Sequence, residues 1–155
     1  MLTWGRSWGN QELVLDGTTV GLFDTSTFRE RATVRLGPEV WEYARQSGGA
    51  ILGTGPAGSP TPFQLWATRR SFFTYTWDVA TPAGRYELKQ GVFSTAFQVL
   101  RAGVPIGEAR RAGTLTNRFS LSVTPDVPLP DQVFLLWVVE ASERRRSHSS
   151  SAAAS

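Results

Sequence analysis

The chain has 155 residues, 41% of them hydrophobic, with six Trp and nine Phe; one domain burying roughly 70% of its unfolded surface is expected, and a disordered chain is excluded. The formal net charge of +3 rests on 15 Arg against a single Lys, a modest, permanently ionised excess that permits an anionic partner without demanding one. With no Cys, disulfides, thiolate metal sites, iron–sulfur clusters and thiol nucleophiles are ruled out.

The opening MLTWGRSWGNQ has neither the basic start nor the apolar core of a signal peptide, so a reducing cytoplasm is the expected compartment. From there short apolar-patterned runs alternate with Gly, Pro and Asp punctuation, the pattern of hairpin-built β-structure. Residues 11–16 and 19–24 read as strands about an Asp16-Gly17 turn. Ala32, Val34 and Leu36 alternate with Arg31, Thr33 and Arg35, the period of two of a strand with one buried face. Strands follow over 39–46, 49–53 and 63–69. An aromatic row of Phe73, Tyr75, Trp77 and Val79 opposes Thr74, Thr76 and Asp78. Further strands are expected over 84–90, 92–100 and 104–110, and Phe119, Leu121 and Val123 alternate with serines in the clearest one, for a total of about eleven.

Two internal echoes favour a repeated hairpin. Val14 to Gly21 resembles Val99 to Gly107 with one extra loop residue in the second, and Trp41-Glu42-Tyr43-Ala44 resembles Trp77-Asp78-Val79-Ala80, which puts an equivalent Trp in two hairpins as a core anchor. Between them, GTGPAGSPTP (53–62) reads as a long irregular connection dividing the strands into two groups within one domain. It formally satisfies the dinucleotide pattern G-x-G-x-x-G, but Ser59-Pro60-Thr61-Pro62 cannot open the helix that such a site requires, so it reads as a loop.

Catalytic chemistry finds little support. The single His, His148, lies in the polar segment 144–155, RRRSHSSSAAAS, which is expected to be a disordered tail. The 13 carboxylates fall singly, and Asp126 and Asp131 bracket a Pro-rich loop without calcium-loop spacing, so no catalytic residue, cofactor or metal ligand is assigned. The remaining chemistry is basic: Arg69, Arg70, Arg110, Arg111 and Arg118 fall at strand ends or in adjoining turns, where they are candidates to bind an anionic head group or phosphate. Adjacent arginines on a strand point to opposite faces, so a solvated barrel exterior is the competing reading.

The last element is the most unusual. QVFLLWVVE (132–140) contains seven consecutive apolar residues. That is far short of the roughly 20 needed to span a bilayer, and Phe134 to Trp137 cover every azimuth of a helix, leaving no polar side for an interfacial anchor. A helix over 131–143 enclosed on all sides is expected, with Pro130 and Asp131 as first-turn and cap residues. Arg144-Arg145-Arg146 then complements the negative end of its dipole, or forms a basic patch beside a membrane.

Phe97-Gln98-Val99-Leu100-Arg101-Ala102-Gly103, Ile106-Gly107-Glu108-Ala109-Arg110-Arg111, Phe119 to Asp126 and the closing PLPDQVFLLWVV together resemble the second half of the tubby C-terminal-like superfamily, which includes LURP-one-related proteins and phospholipid scramblases; the chain looks like a bacterial-type member. The likeness is carried by residues 63–143, with an echo over 10–52. It implies a mainly β fold, a closed antiparallel barrel of 11–12 strands around a central hydrophobic C-terminal helix, forming one domain over 1–143. For some relatives it also implies binding of anionic lipid or phosphoinositide and association with membranes. The expected function is therefore a non-enzymatic barrel that binds an anionic or amphiphilic, lipid-like ligand or a membrane surface; nucleic acid is not an expected partner. A protein-interaction module without a small ligand is the first alternative, and an enzyme with a dispersed carboxylate site the second.

Overall fold

The computed structural model describes residues 1–5, 11–26, 31–70, 75–91, 94–113 and 118–154, with the side chains of Thr25, Ser26 and 147–154 outside that description. Twelve strands close into an antiparallel barrel: β1 (Leu2–Trp4), β2 (Gln11–Leu15), β3 (Thr18–Ser26), β4 (Arg31–Leu36), β5 (Glu39–Arg45), β6 (Ile51–Gly55), β7 (Phe63–Arg69), β8 (Thr76–Thr81), β9 (Gly84–Gln90), β10 (Phe97–Arg101), β11 (Val104–Arg111) and β12 (Phe119–Val123). Each strand pairs with its neighbour in sequence, and β1 pairs with β12 to close the ring. One helix, α1 (Leu129–Ala154), follows.

Strict alternation decides which side chains go inside. Ala32, Val34 and Leu36, then Trp41 and Tyr43, then Leu65 and Ala67 are buried, whereas Arg35, Glu42 and Trp66 between them are exposed. The interior so formed is filled by α1, whose residues from Asp131 to Glu143 are all buried and whose run from Val133 to Val139 is at most 3% exposed. An all-round apolar helix finds no other home in water, and each large side chain so enclosed is worth about 1.5–3 kcal/mol. The barrel is thus apolar inside and largely polar outside, the reverse of barrels that cross bilayers. No described helix is long and apolar enough to cross a membrane.

The helix runs from a proximal end, where Thr81 and Tyr86 donate hydroxyl hydrogen bonds of 2.7 Å each to Asp131 Oδ2, to an exit end, where Arg111 Nη2 donates to Glu143 Oε1 at 2.6 Å. Asp131 is therefore in the first turn, as expected, but its carboxylate ties the helix to the β8–β9 hairpin instead of capping the helix. Beyond Glu143 the backbone stays helical to Ala154, whereas a disordered tail from 144 was expected; Arg and Ala propagate a helix once a packed segment has nucleated it.

Several strand expectations need correction. β1 is additional, because three residues carry too little alternation to be read. The 53–62 segment does not divide the array: β6 extends through Gly55 and pairs with β7 over five residues, from Ile51↔Ala67 to Gly55↔Phe63. β10 begins at Phe97, later than the expected 92; residues 92–93, like Phe73 and Thr74 of the aromatic row, lie outside the described residues.

The first echo is structural, with one change. The β2–β3 and β10–β11 hairpins turn through two-residue corners at positive φ, Asp16-Gly17 (49°, 85°) and Ala102-Gly103 (52°, 76°), the conformation of tight hairpin turns. Each ladder slips by one residue at the same place, between Leu13/Val14 and between Val99/Leu100. The slip leaves Val20 and Ile106 as the bulged residues, each followed by a glycine, Gly21 or Gly107. The two hairpins thus align with Leu13 on Val99 and loops of equal length, without the extra residue read from sequence. The second echo does not survive: Trp41 and Trp77 are both buried core residues, but β5 runs toward the exit end and β8 away from it, since three antiparallel steps separate them.

Candidate functional site

At the exit end the inward row of side chains changes character. Following the alternation along each strand, Trp41 and Tyr43 lead to Arg45, Leu65 and Ala67 to Arg69, Tyr86 and Leu88 to Gln90, and Ala109 to Arg111. A polar ring dominated by guanidinium groups therefore caps the apolar interior. It meets the polar turn of α1, where Glu140, Ser142 and Glu143 are each buried. The charges on the helix match this ring. Glu143 takes Arg111, and Glu140 accepts from the Trp4 indole at 2.6 Å and the Phe119 amide at 3.1 Å, with Arg118 Nη1 at 3.7 Å. Burial dominates at Glu140 and raises its pKa above the ordinary carboxylate range, while these donors and Arg144 pull the other way.

The five candidate arginines are not brought to one face. Arg111 and Arg118 turn inward to the helix; Arg118 also stacks on Trp4, its guanidinium 4.4 Å from the ring centroid. Arg110 points outward and pairs with Glu108 at 2.7 Å. It flanks a groove of about 850 Å³ over β9–β12, where Lys89 and Glu108 also lie. Only Arg69 and Arg70 share a site. They line a pocket of about 320 Å³ at the exit end with Arg45, Gly48, Gly49, Trp77 and Arg145.

That pocket is the strongest candidate site. Three chain regions build it: the β5–β6 turn, where Gly48 and Gly49 adopt positive φ of 89° and 92°; the ends of β7 and β8; and the exit turn of α1. Among its described lining residues four are arginines and none is a carboxylate. Arg70 reaches it while its Nη2 binds Asp78 at 2.6 Å and Glu87 at 3.1 Å on the outer face, an exposed clamp that fixes the orientation of the guanidinium. Arg69 lies over the Tyr75 ring at 4.9 Å. Guanidinium groups converging on a recess suit a tetrahedral oxyanion or carboxylate, which they bind through paired N–H donors.

Arg45 and Arg145 were missed as site residues. Arg45 occupies the position after the buried Trp41 and Tyr43 that alternation assigns to the interior, next to a Gly-Gly turn, so the signal was present in the strand pattern. Arg145 was read as a complement to the helix dipole or as part of a basic patch beside a membrane, because nothing in the sequence says what the helix exit faces. The pocket has no carboxylate among its described lining residues, and the outer groove has Glu108, so neither gathers the pair of carboxylates that a glycosidase-like mechanism needs. No group of described residues offers a metal site. No family model, curated protein or solved structure matches this chain.

Proposed function

We propose that this protein is a non-enzymatic binding module, akin to the tubby C-terminal-like barrels, that captures an anionic ligand or lipid head group at the exit end of its barrel. The observation that carries this reading is the convergence of Arg45, Arg69, Arg70 and Arg145 on one pocket of about 320 Å³. Guanidinium groups from separate chain regions around one recess can offer an anion several N–H donors at once. The kinship is supported by the shared plan of a twelve-strand barrel around a C-terminal helix. On this reading the protein works in a reducing compartment, in solution or against an anionic membrane surface.

Titration with anionic ligands, and co-sedimentation with anionic vesicles, at rising salt provides the test. Binding is expected to weaken steeply with ionic strength and to be lost in an Arg45→Ala, Arg69→Ala double variant. Wild-type protein that binds neither probe at low salt removes the reading. The protein-interaction alternative draws on Phe63 and Trp66 of β7, which are 53% and 39% exposed; a partner held there would be insensitive to salt.

A further inference from the structure

The pocket is not built by the barrel alone. Its seventh lining residue, Arg145, comes from α1, an element that enters the barrel at the opposite end and is held in place by separate contacts. Ser142 Oγ accepts from the Trp77 indole at 3.2 Å, and Trp77 is itself a wall of the pocket. Tyr75 links the same two bodies: Arg69 of the strand wall and Arg146 of the helix lie against its ring, at 4.9 and 5.4 Å from the centroid. Arg144 folds back over Trp137 at 4.5 Å, and Glu143 is bound to Arg111. The strand wall and the helix wall are therefore joined by an indole–hydroxyl bond and a shared aromatic ring.

We infer that a compact phosphate-type oxyanion is held jointly by the barrel rim and the helix exit turn, so that occupancy of the site and docking of α1 are thermodynamically linked. The inference rests on the anion site proposed above and adds to it a regulated element. A ligand that touches both walls binds only the docked state, and it must stabilise that state by as much as docking improves its own affinity. The exit turn is then a sensor: whatever loosens it releases the anion, and the anion clamps it shut. Ser142 is a positioning residue in this scheme, since it acts through Trp77 and the helix backbone.

Full-length protein is titrated with pyrophosphate at low salt and, separately, with vesicles containing phosphatidic acid, while hydrogen exchange follows the amides of 140–146. Arg145→Ala is expected to weaken binding at least tenfold. Ser142→Ala, which leaves all four pocket arginines in place, is expected to weaken binding several-fold, with recovery in Ser142→Thr. Ligand is expected to slow exchange at 140–146 in the wild type and much less in Ser142→Ala. The linkage is overturned if Ser142→Ala and Arg145→Ala bind like wild type while Arg45→Ala does not, or if ligand leaves exchange at 140–146 unaltered; the anion site then stands without it. If wild type binds neither pyrophosphate nor vesicles, site and linkage fall together. Tenfold loss in Arg145→Ala with pyrophosphate supports the linkage for a free phosphate ligand, and the same loss with vesicles alone supports it for a lipid head group.

Discussion

The indole Nε1 of Trp4 donates a 2.6 Å hydrogen bond to Oε1 of Glu140, which is 136 residues away in the chain. The same oxygen accepts the backbone amide of Phe119 at 3.1 Å. Trp4 ends β1 and Phe119 begins β12, the two strands whose pairing closes the barrel, and β1 is only three residues long. One buried carboxylate on the central helix therefore pins both sides of the seam from within.

Removing that pin should be costly. Glu140→Ala leaves the Trp4 indole and the Phe119 amide without their acceptor, and a loss of about 2–4 kcal/mol is expected from buried donors left unpaired. Glu140→Gln keeps a carbonyl acceptor and should cost clearly less. Urea denaturation of the three proteins checks the order; equal losses for Ala and Gln would show that charge, not acceptor geometry, holds the seam.

The pH dependence follows from the direction of the Glu140 shift. Its folded pKa lies above the ordinary 4.5 because burial outweighs the Phe119 amide, Arg118, the Trp4 indole and Arg144. The native state then holds the proton more tightly than the unfolded chain. The stability so contributed is fully present below the unfolded pKa and is lost as pH rises through the folded value. Measured from about pH 4 to about pH 8, the stability of wild type relative to Glu140→Gln should fall with rising pH. A difference that grows with pH would mean that Arg118 and the other donors outweigh burial.

The two bulge glycines make a matched pair for mutation. A Cβ on Gly107 would lie 2.1 Å from the Ser122 carbonyl oxygen, and one on Gly21 would lie 2.6 Å from that of Arg35. Both obstacles are backbone atoms of the neighbouring strand, which cannot step aside without breaking the ladder. Gly107→Ala is expected to cost about 3 kcal/mol or more and Gly21→Ala somewhat less, within the range of overpacked sites. Thermal melts that rank them the other way would contradict this picture of the two hairpins.

How much of this was legible in advance depended on how local the signal was. The period of two along Ala32–Leu36 and Phe119–Val123, and the lack of any polar side on Phe134–Trp137, are properties of a few adjacent residues, and they sufficed for the strands and the enclosed helix. β1 was too short to show a period, and one of its two partner strands, β12, is over a hundred residues away. The site failed for the same reason: Arg45, Arg69 and Arg145 are far apart in sequence, and only barrel closure around the helix makes them neighbours. Of the prominent pairs, Arg110-Arg111 misled because alternation along β11 sends its two members to opposite faces, whereas Arg69-Arg70 falls where β7 ends and both members line the pocket.

The helix should be indispensable to the barrel. Phe134 packs edge-on against Tyr43 with centroids 5.1 Å apart, and Trp137 lies 5.2 Å from Phe23. Phe134→Ala is expected to cost about 3–5 kcal/mol, and a chain ending at Pro130 should aggregate or remain unfolded, since its inward row would line an empty lumen. A truncated chain that is monomeric and unfolds cooperatively would show that the hairpins close without their plug.

Tyr43 offers a test in the opposite direction. Its side chain is 1% exposed, and its hydroxyl has no hydrogen-bond partner among the described residues. Burial, with a further contribution from the charge on Asp131, pushes its ionisation far up, so the group is a neutral hydroxyl at any physiological pH. A buried hydroxyl without a partner forfeits the hydrogen bonds it made to water, at a cost of about 1–3 kcal/mol. The ring meanwhile packs against Phe134 and Phe23, and these contacts are kept by phenylalanine. Tyr43→Phe should therefore stabilise the protein by about 1 kcal/mol, read as a higher urea midpoint with an unchanged slope. A fall in the midpoint would mean that the hydroxyl is satisfied in solution, most simply by a water held between β5 and the helix.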